Sequence, residues 1–244
     1  MAVSRGILAG GVLLWAYSSG QAQEYPAWFL DQQAASARPT AVGYAHASIY
    51  PDSSAAQAIR DGCERWVRQQ QTIVEGGQLF WSTALGTAWM GSSIQEHFDT
   101  AAVSQVMTYL SPLDKLLSRN LVAVLMGPPG DGFDPVWRER RSVAATRAPE
   151  WTEHPPLEGG CSYAVGVAPA YYYEMSSWDE AERNARLNLA RTIRVKVGAL
   201  QQMAVQDQAL QREQLSVVLM NTQTVARWRD AQEGIFYVLV RMPR

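Results

Sequence analysis

The side chains with the strongest chemistry in this chain of 244 residues are few and scattered. Its three histidines are His46, His97 and His154, and none of them has a second histidine or a cysteine close by in the sequence. A structural zinc site takes four histidine or cysteine ligands that come in closely spaced pairs. The spacing here lacks such pairs, and we therefore expect no metal centre.

Cys63 and Cys161 are the two cysteines of the chain. In an oxidising compartment they could form a disulfide, provided that their Cα atoms come within roughly 7 Å of each other. The alternative is two separate thiols, with Cys63 on a helix and Cys161 at the start of a strand. Both interpretations stand at this point.

Motifs that bind phosphate or carry out acyl transfer are absent from the sequence. The stretch Gly127–Gly132 lacks the lysine and the hydroxyl residue of a P-loop. The chain contains neither a Gly-x-Ser-x-Gly turn nor the histidine pair of a metalloprotease helix. We therefore expect no catalytic residues and no cofactor, and the protein is predicted not to be an enzyme.

The sequence repeats itself at a constant distance of 123 positions. Pro26-Ala27-Trp28 returns as Pro149-Glu150-Trp151, and Ala41-Val42-Gly43 returns as Ala164-Val165-Gly166. A register that is kept over such a length indicates duplication of one structural unit. The residues that could do chemistry are therefore carried by two copies of a common scaffold.

Each copy reads as a strand followed by a helix. The glycine inside each Ala-Val-Gly strand indicates a bulge or a close approach of another backbone. Ser54 and Ser177 each open a capping box, S-x-x-Q or S-x-x-E, which is typical of a helix start. The first helix is expected over Ala55–Glu75, and the second extends to Leu200.

The second helix is the clearest element of the chain. Ala181, Ala185 and Leu189 lie on one apolar stripe, at steps of four residues. The opposite face is charged and is expected to be solvated, because acids are interleaved with its arginines. The charged residues of that face are Glu182, Arg183, Arg186, Arg191 and Arg194.

Both units are expected to end in strands. In the second unit these are a long strand over Leu215–Arg229 and a final strand over Ile235–Met242. In the first unit they lie near Ala101–Leu110 and Asn120–Met126. Residues 78–100 have no counterpart in the second unit and are expected to form an irregular insertion or a short extra helix.

The fold class that follows is α+β, with two tandem modules that each pack a helix on a small antiparallel sheet in the order β-α-β-β. The first module spans residues 23–127 and the second spans residues 149–244. Residues 128–148 form the linker, which begins with a proline- and glycine-rich break. Val136–Arg147 is expected to form a short basic helix within it.

Residues 1–22 have the layout of a secretory signal peptide. Arg5 supplies a positive charge, Gly6–Tyr17 is apolar but shorter than a membrane span, and Gly20-Gln21-Ala22 offers a cleavage site. We expect export to the periplasm, with an uncleaved anchor as the alternative. The rest of the chain offers no transmembrane segment, and a net charge of −2 argues against nucleic acid as a partner.

Four short motifs resemble the LPP20 lipoprotein family. They are Ala164-Val165-Gly166, the helix from Ala181 through Ala185 to Leu189, Val225-Ala226-Arg227-Trp228, and Tyr237-x-Leu239-Val240. Related domains occur in flagellar envelope proteins such as FlgP and the N-terminal part of FlgT. This chain differs from the family because it has two copies of the domain and lacks the lipidated cysteine. The core motif residues are Trp28, Val42, Gly43, Trp151, Val165, Gly166, Ala181, Ala185, Leu189, Trp228 and Tyr237.

The resemblance implies an assembly or interaction module of the bacterial envelope without a catalytic centre. We therefore expect a non-catalytic exported envelope protein whose partners are other envelope proteins or further copies of itself. Association with the flagellum is a narrower form of this expectation. The alternative is a soluble periplasmic module that holds a small ligand or a peptidoglycan fragment between its units. Peripheral contact with a membrane stays open.

Overall fold

A computed structural model describes residues 24–244 apart from residues 37, 84–85, 93, 131–132, 144–146, 158–159 and 199–210. For residues 77–83, 86–92, 195–198 and 211–215 only the backbone is described. The predicted signal peptide, residues 1–22, lies outside the described residues. Within the described residues, no helix is both long enough and apolar enough to cross a bilayer.

The chain combines helices with small antiparallel sheets, and the predicted α+β class is confirmed. The helices are α1 (Ala27–Leu30), α2 (Pro51–Gln70), α3 (Ala102–Tyr109) and α4 (Glu174–Gly198). The strands are β1 (Glu24–Pro26), β2 (Ala41–Ala45), β3 (Gln71–Thr83), β4 (Gly86–Ser92), β5 (Gln95–His97), β6 (Ser111–Leu117), β7 (Val122–Gly127), β8 (Arg140–Ser142), β9 (Cys161–Pro169), β10 (Gln211–Met220), β11 (Gln223–Asp230) and β12 (Ile235–Pro243).

Two three-stranded antiparallel sheets share one strand order. In the first sheet β7 lies between β2 and β6, and in the second sheet β12 lies between β9 and β11. Helix α2 packs on the first sheet and α4 packs on the second. The strands of each sheet thus follow a β-α-β-β order, with further elements between the helix and the last two strands. That the two units arose by duplication stays a prediction.

The helix and the first strand of each unit touch at a glycine. A Cβ atom on Gly43 would overlap the carbonyl oxygen of Ala58, and a Cβ atom on Gly166 would overlap the carbonyl oxygen of Ala181. Only a residue without a side chain allows the helix backbone to come this close. The two contacts involve residues that correspond under the 123-residue repeat.

The apolar core has two parts that lie on opposite faces of the first sheet. The smaller part lies between α2 and this sheet and includes Ala58, Cys63 and Val124. The larger part combines residues of the other sheet face, α1, α4 and the second sheet. Its largest fully buried side chains include Trp28, Phe29, Tyr44, Trp178 and Phe236.

The two equivalent strands β2 and β9 differ in burial. Every residue of β2 is buried, whereas buried and more exposed residues alternate along β9. Val42 is therefore 1% exposed, while its counterpart Val165 is half-buried. The first sheet is covered on both faces, and the second is covered more completely on the face that packs against α4.

The sequence prediction is wrong where α2 ends. The helix stops at Gln70 rather than Glu75, and β3 begins at the next residue. Thr72 and Val74 are both buried in β3, while their neighbours are more exposed. A spacing of two residues is the strand period, and it overrides the helical pattern expected here.

A second correction concerns Ala102–Tyr109, which forms α3 instead of a strand. Val103 and Val106 lie three residues apart and are both buried in the smaller core, next to α2. That spacing places them on one helix face. The segment contains residue types that favour strands, but packing against α2 and the core selects a helix.

The described part of residues 78–100 forms strands rather than the irregular insertion or short helix that we predicted. It contains the end of β3 together with β4 and β5, and both of these strands pair with β3. Strand β3 also pairs antiparallel with β10 of the second unit, with Gln71 opposite Met220 and Phe80 opposite Gln211. The segment belongs to a sheet that both units build together.

The region predicted as a linker, residues 128–148, contains regular structure. Pro135–Arg138 forms a 3-10 helix, capped by the Asp134 side chain, and β8 pairs with β1 at the start of the chain. The basic helix predicted over Val136–Arg147 is therefore wrong. Glu139 has a ψ of 132°, which is outside the helical range, and the 3-10 helix therefore ends before β8.

The segment predicted as one long strand, Leu215–Arg229, is divided in two. Strand β10 ends at Met220 and β11 starts at Gln223. Asn221 lies between them with a φ of 53°, the left-handed conformation that asparagine adopts more readily than most residues. The chain leaves the sheet of β3 and β10 here and enters the sheet of β11 and β12.

Both predicted capping boxes are wrong, because the helices start earlier. α2 begins at Pro51, whose ring favours the first helical position, and α4 begins at Glu174. Ser54 and Ser177 therefore lie inside the helices. The Ser54 hydroxyl is 2.9 Å from that of Ser48, and the Ser177 hydroxyl accepts a hydrogen bond from the Tyr171 amide at 2.8 Å. In both units the serine fastens the preceding loop to the helix.

Candidate functional site

Four buried charged residues lie between the two units and form what we call the ionic cluster. They are Arg65 of α2, Glu182 and Arg186 of α4, and Arg227 of β11, and each is less than 5% exposed. The Glu182 carboxylate is 3.1 Å from Arg65, 3.0 Å from Arg186 and 3.6 Å from Arg227. The predicted solvated face of α4 is therefore wrong at Glu182 and Arg186, because the first unit covers them.

Arg65 reaches from the first unit into the second. Its Nε donates to Asp61 at 2.6 Å, and its Nη2 donates to Asp179 of α4 at 2.7 Å. The guanidinium carbon lies 4.2 Å from the ring centroid of Tyr44. One arginine thus bridges α2, the edge strand β2 and α4.

The other two arginines are held as firmly. Arg186 donates two hydrogen bonds to the Glu96 carboxylate, at 2.9 and 2.8 Å. Arg227 donates to the Tyr44 hydroxyl at 2.7 Å and to the carbonyl oxygen of Phe29 at 3.0 Å. Such paired, directional contacts offset the loss of water around a buried guanidinium.

The electrostatics of the cluster keep its groups charged. Burial alone would raise the pKa of Glu182, but Arg65, Arg186 and Arg227 together lower it to about 2. Burial would lower the pKa of Arg65, yet the surrounding carboxylates raise it well above its ordinary value. A carboxylate that stays ionised and fully engaged is suited to joining two units rather than to moving protons.

The counterparts of Asp61 and Arg65 in the second unit are Asn184 and Asn188. These amides donate to the carbonyl oxygens of Val167 and Val165 on β9, at 3.0 and 2.8 Å. In the first unit Asp61 accepts the Tyr44 amide of β2 at 2.7 Å. In both units a helix side chain thus satisfies the open edge of the first strand, which would otherwise be free to pair with another chain.

The loops that precede α2 and α4 correspond to each other, and they expose large side chains. Ile49 and Tyr50 are 86% and 69% exposed in the first loop, and Tyr172 is 93% exposed in the second. The loops touch where the His46 and Tyr173 rings lie 4.3 Å apart. We call Ile49, Tyr50 and Tyr172 the tip surface.

Beside these loops lies a cleft of about 280 Å³. Residues of both units line it. They are His46, Arg119, Asn120, Ala170, Tyr171, Tyr172, Tyr173, Glu174, Arg229 and Phe236. We call it the inter-unit cleft. It combines aromatic rings with two arginines, so it can offer both stacking faces and positive charge to a ligand.

The carboxylate of Glu174 forms part of the wall of this cleft. Its Oε1 accepts hydrogen bonds from the Tyr25 hydroxyl at 2.7 Å and from the Trp178 indole at 3.1 Å. Burial raises the pKa of Tyr25 well above its ordinary value, and the negative charge of Glu174 adds to the effect. Tyr25 is therefore a permanent donor to Glu174.

The core motif residues take structural positions, and the structure brings most of them together in the larger core. Trp28 is fully buried and donates its indole hydrogen to Asp114 at 2.9 Å, whereas Trp151 packs against that core from a half-buried position. The remaining core motif residues pack around the two helix–glycine contacts or lie on the strands beside those contacts. Ala181, Ala185 and Leu189 of α4 are fully buried, Trp228 is 8% exposed, and Tyr237 is half-buried with its ring 5.3 Å from that of Trp228.

The two cysteines are free thiols in the structure. Cys63 is buried in the core under α2, and Cys161 is half-buried at the start of β9. Burial raises the pKa of the Cys63 thiol. In the part of the chain that the structure describes, histidine, cysteine and carboxylate side chains form no group of three that could hold a metal ion.

Sequence reasoning missed the ionic cluster, and although it considered a ligand held between the units, it did not identify the residues of the inter-unit cleft. Arg65 and Asp179 are 114 positions apart, and no local pattern connects them. The run Tyr171-Tyr172-Tyr173 before a helix was the available signal for the cleft. A comparison with protein-family models, curated proteins and solved structures gives no match for this chain.

Proposed function

We propose that this protein is a non-catalytic exported envelope protein that works as an assembly module and binds further copies of itself through the tip surface. The observation that carries the proposal is the contact between two equivalent loops, both of which expose large apolar or aromatic side chains. Exposed side chains of this kind that lie together are typical of protein–protein interfaces.

A second copy of the chain is the partner that suits this surface. Ile49, Tyr50 and Tyr172 carry no charge, so the surface can face its own copy without repulsion between like charges. Closed symmetric assemblies are built from such self-complementary contacts. Isoleucine and tyrosine also bring a large contact area with few rotatable bonds.

The ionic cluster supports the same proposal. It joins the units through residues that are buried and engaged with one another, which favours a fixed orientation of the two loops. Export is supported by the layout of residues 1–22, and a flagellar setting is supported by the resemblance to flagellar envelope domains. Export is tested by fractionating cells and by measuring the mass of the mature chain, which is expected to begin at Gln23.

Self-association is tested by analytical ultracentrifugation of the mature chain over a range of concentrations. We expect a discrete oligomer, and a variant with Ile49→Ser and Tyr50→Ser should associate at least about tenfold more weakly. Leu157→Ser is the matched control, because Leu157 is fully exposed and precedes β9 at the end opposite Tyr171. A wild-type chain that stays monomeric at high concentration contradicts the proposal.

A further inference from the structure

The inter-unit cleft has a chemical character that assembly through the tip surface does not use. Its rim includes the half-exposed rings of Tyr171 and Tyr173, and the second of these rests on His46. Tyrosine rings offer an apolar face and a polar hydroxyl on the same side chain. A sugar ring has the matching properties, with C–H groups on its face and hydroxyls around its edge.

The charges around the cleft favour an anionic group on the ligand. Arg119 lines it from the loop before β7, and Arg229 lines it from β11, with its guanidinium 4.8 Å from the centroid of the Phe236 ring. Glu174 is the acidic residue among the lining side chains, and its single negative charge faces the two positive charges of Arg119 and Arg229. Arginine binds carboxylates with two parallel hydrogen bonds, which fixes the orientation of the ligand as well as its charge.

The size of the cleft limits the ligand to a short one. A volume of about 280 Å³ lies just below the range for small-molecule sites, roughly 300–1,000 Å³. An open cleft of this size can hold one part of a longer glycan as well as a free sugar. In both cases the cleft contacts one sugar ring and its substituents.

The geometry points to a binding site for a carboxylated saccharide in the inter-unit cleft. The sugar ring stacks on Tyr171 and Tyr173, and its carboxylate pairs with Arg119. This site goes beyond the proposed function. It shares Tyr172 with the tip surface, but the residues that test it, Arg119 and Tyr171, differ from Ile49 and Tyr50, which test self-association. The failure of one idea is therefore distinguishable from the failure of the other.

The test is calorimetric titration of the mature chain with two sugars that differ by one lactyl ether group. N-acetylmuramic acid carries a lactyl carboxylate that N-acetylglucosamine lacks. We expect the acid to bind at least about tenfold more tightly than the neutral sugar. Equal affinities, or binding of neither sugar, overturn the inference. A soluble glycan strand then distinguishes a polymer ligand from a free sugar acid.

Two variants locate the site. Arg119 is exposed, and Arg119→Gln should weaken binding of N-acetylmuramic acid about tenfold while leaving the oligomeric state unchanged. Tyr171→Ser should weaken binding of both sugars, because it removes a stacking face. Arg147→Gln is the control, since Arg147 is also exposed but does not line the cleft. If Arg119→Gln binds N-acetylmuramic acid as tightly as the wild type does, the inference is overturned. It is also overturned if the protein binds anionic vesicles and does not bind the sugar.

Discussion

Helices α2 and α4 occupy equivalent places in two sheets of the same strand order, yet they use equivalent positions differently. At one pair of positions α2 has Asp61 and Arg65, which hold the edge of β2 and reach into the second unit. At the counterparts α4 has Asn184 and Asn188, which satisfy the edge of β9, and the further hydrogen bond that Asn188 accepts comes from Arg191 of the same helix. The contact between the helix and the first strand is therefore common to both units. The residues that join one unit to the other differ between α2 and α4.

The largest expected effect tests what the two units share. Gly43→Ala and Gly166→Ala each place a methyl group on a helix carbonyl oxygen, and both should lower the free energy of unfolding by more than about 3 kcal/mol. Urea denaturation followed by circular dichroism measures the loss. Val167→Ala, at an exposed position of β9, is the control and should change stability by less than about 1 kcal/mol. A small loss of stability at only one of the two glycines would mean that the two helix–strand contacts are not equivalent.

The next prediction tests where the units differ. Arg65→Met leaves Asp61, Asp179 and Glu182 without their shared cation and should cost about 3–5 kcal/mol. The matched change, Asn188→Ala, removes one hydrogen bond to the edge of β9 and should cost about 1–2 kcal/mol. Both are measured by urea denaturation. Equal losses would mean that Arg65 does no more for the fold than its counterpart does.

Acid should weaken the contact between units before it affects the shared scaffold. The pKa of Glu182 falls from 4.5 to about 2 in the folded protein, so the unfolded chain takes up the proton first as the pH drops. The ionised Glu182 carboxylate contributes its full stabilisation of the fold above pH 4.5, and this contribution is lost as the pH falls to 2. The total loss in the free energy of unfolding is about 3 kcal/mol.

Urea denaturation at pH 7, 5 and 3 measures this loss. The counterpart of Glu182 in the first unit is Ile59, which does not titrate. Glu233→Gln, a change at an exposed carboxylate, is the control and should keep the wild-type pH profile. Stability that stays constant between pH 5 and pH 3 would contradict the role given to Glu182.

The smallest effect concerns the loops before the helices. Ser54→Ala and Ser177→Ala each remove a buried hydroxyl that fastens a loop, and each should cost about 1 kcal/mol. Ser177→Ala should also loosen Tyr171, because its amide loses an acceptor. Hydrogen exchange at the Tyr171 amide detects this change, and exchange as slow as in the wild type would argue against the fastening.

The sequence allowed the α+β class to be predicted because its signals are local, whereas the duplication of one unit stays a prediction. The glycine of Ala-Val-Gly and the alanines of α4 lie within one strand and one helix, so spacing alone places them. Tyr44, Arg65 and Glu182 meet only in three dimensions, and nothing near Arg65 in the sequence distinguishes it from a surface arginine. The segment Ala102–Tyr109 was predicted wrongly because its residue types favour a strand while packing against α2 selects a helix.

The pairing of β3 with β10 has a consequence for the order of folding. Gln71 needs Met220 as its neighbour, so the first unit cannot complete its contacts until nearly all of the chain has been synthesised. Contacts between residues so distant in sequence slow folding and prolong the time during which strand edges are open to aggregation. A chain that is still being synthesised on the ribosome therefore leaves this edge of β3 open until residues 211–220 have been made.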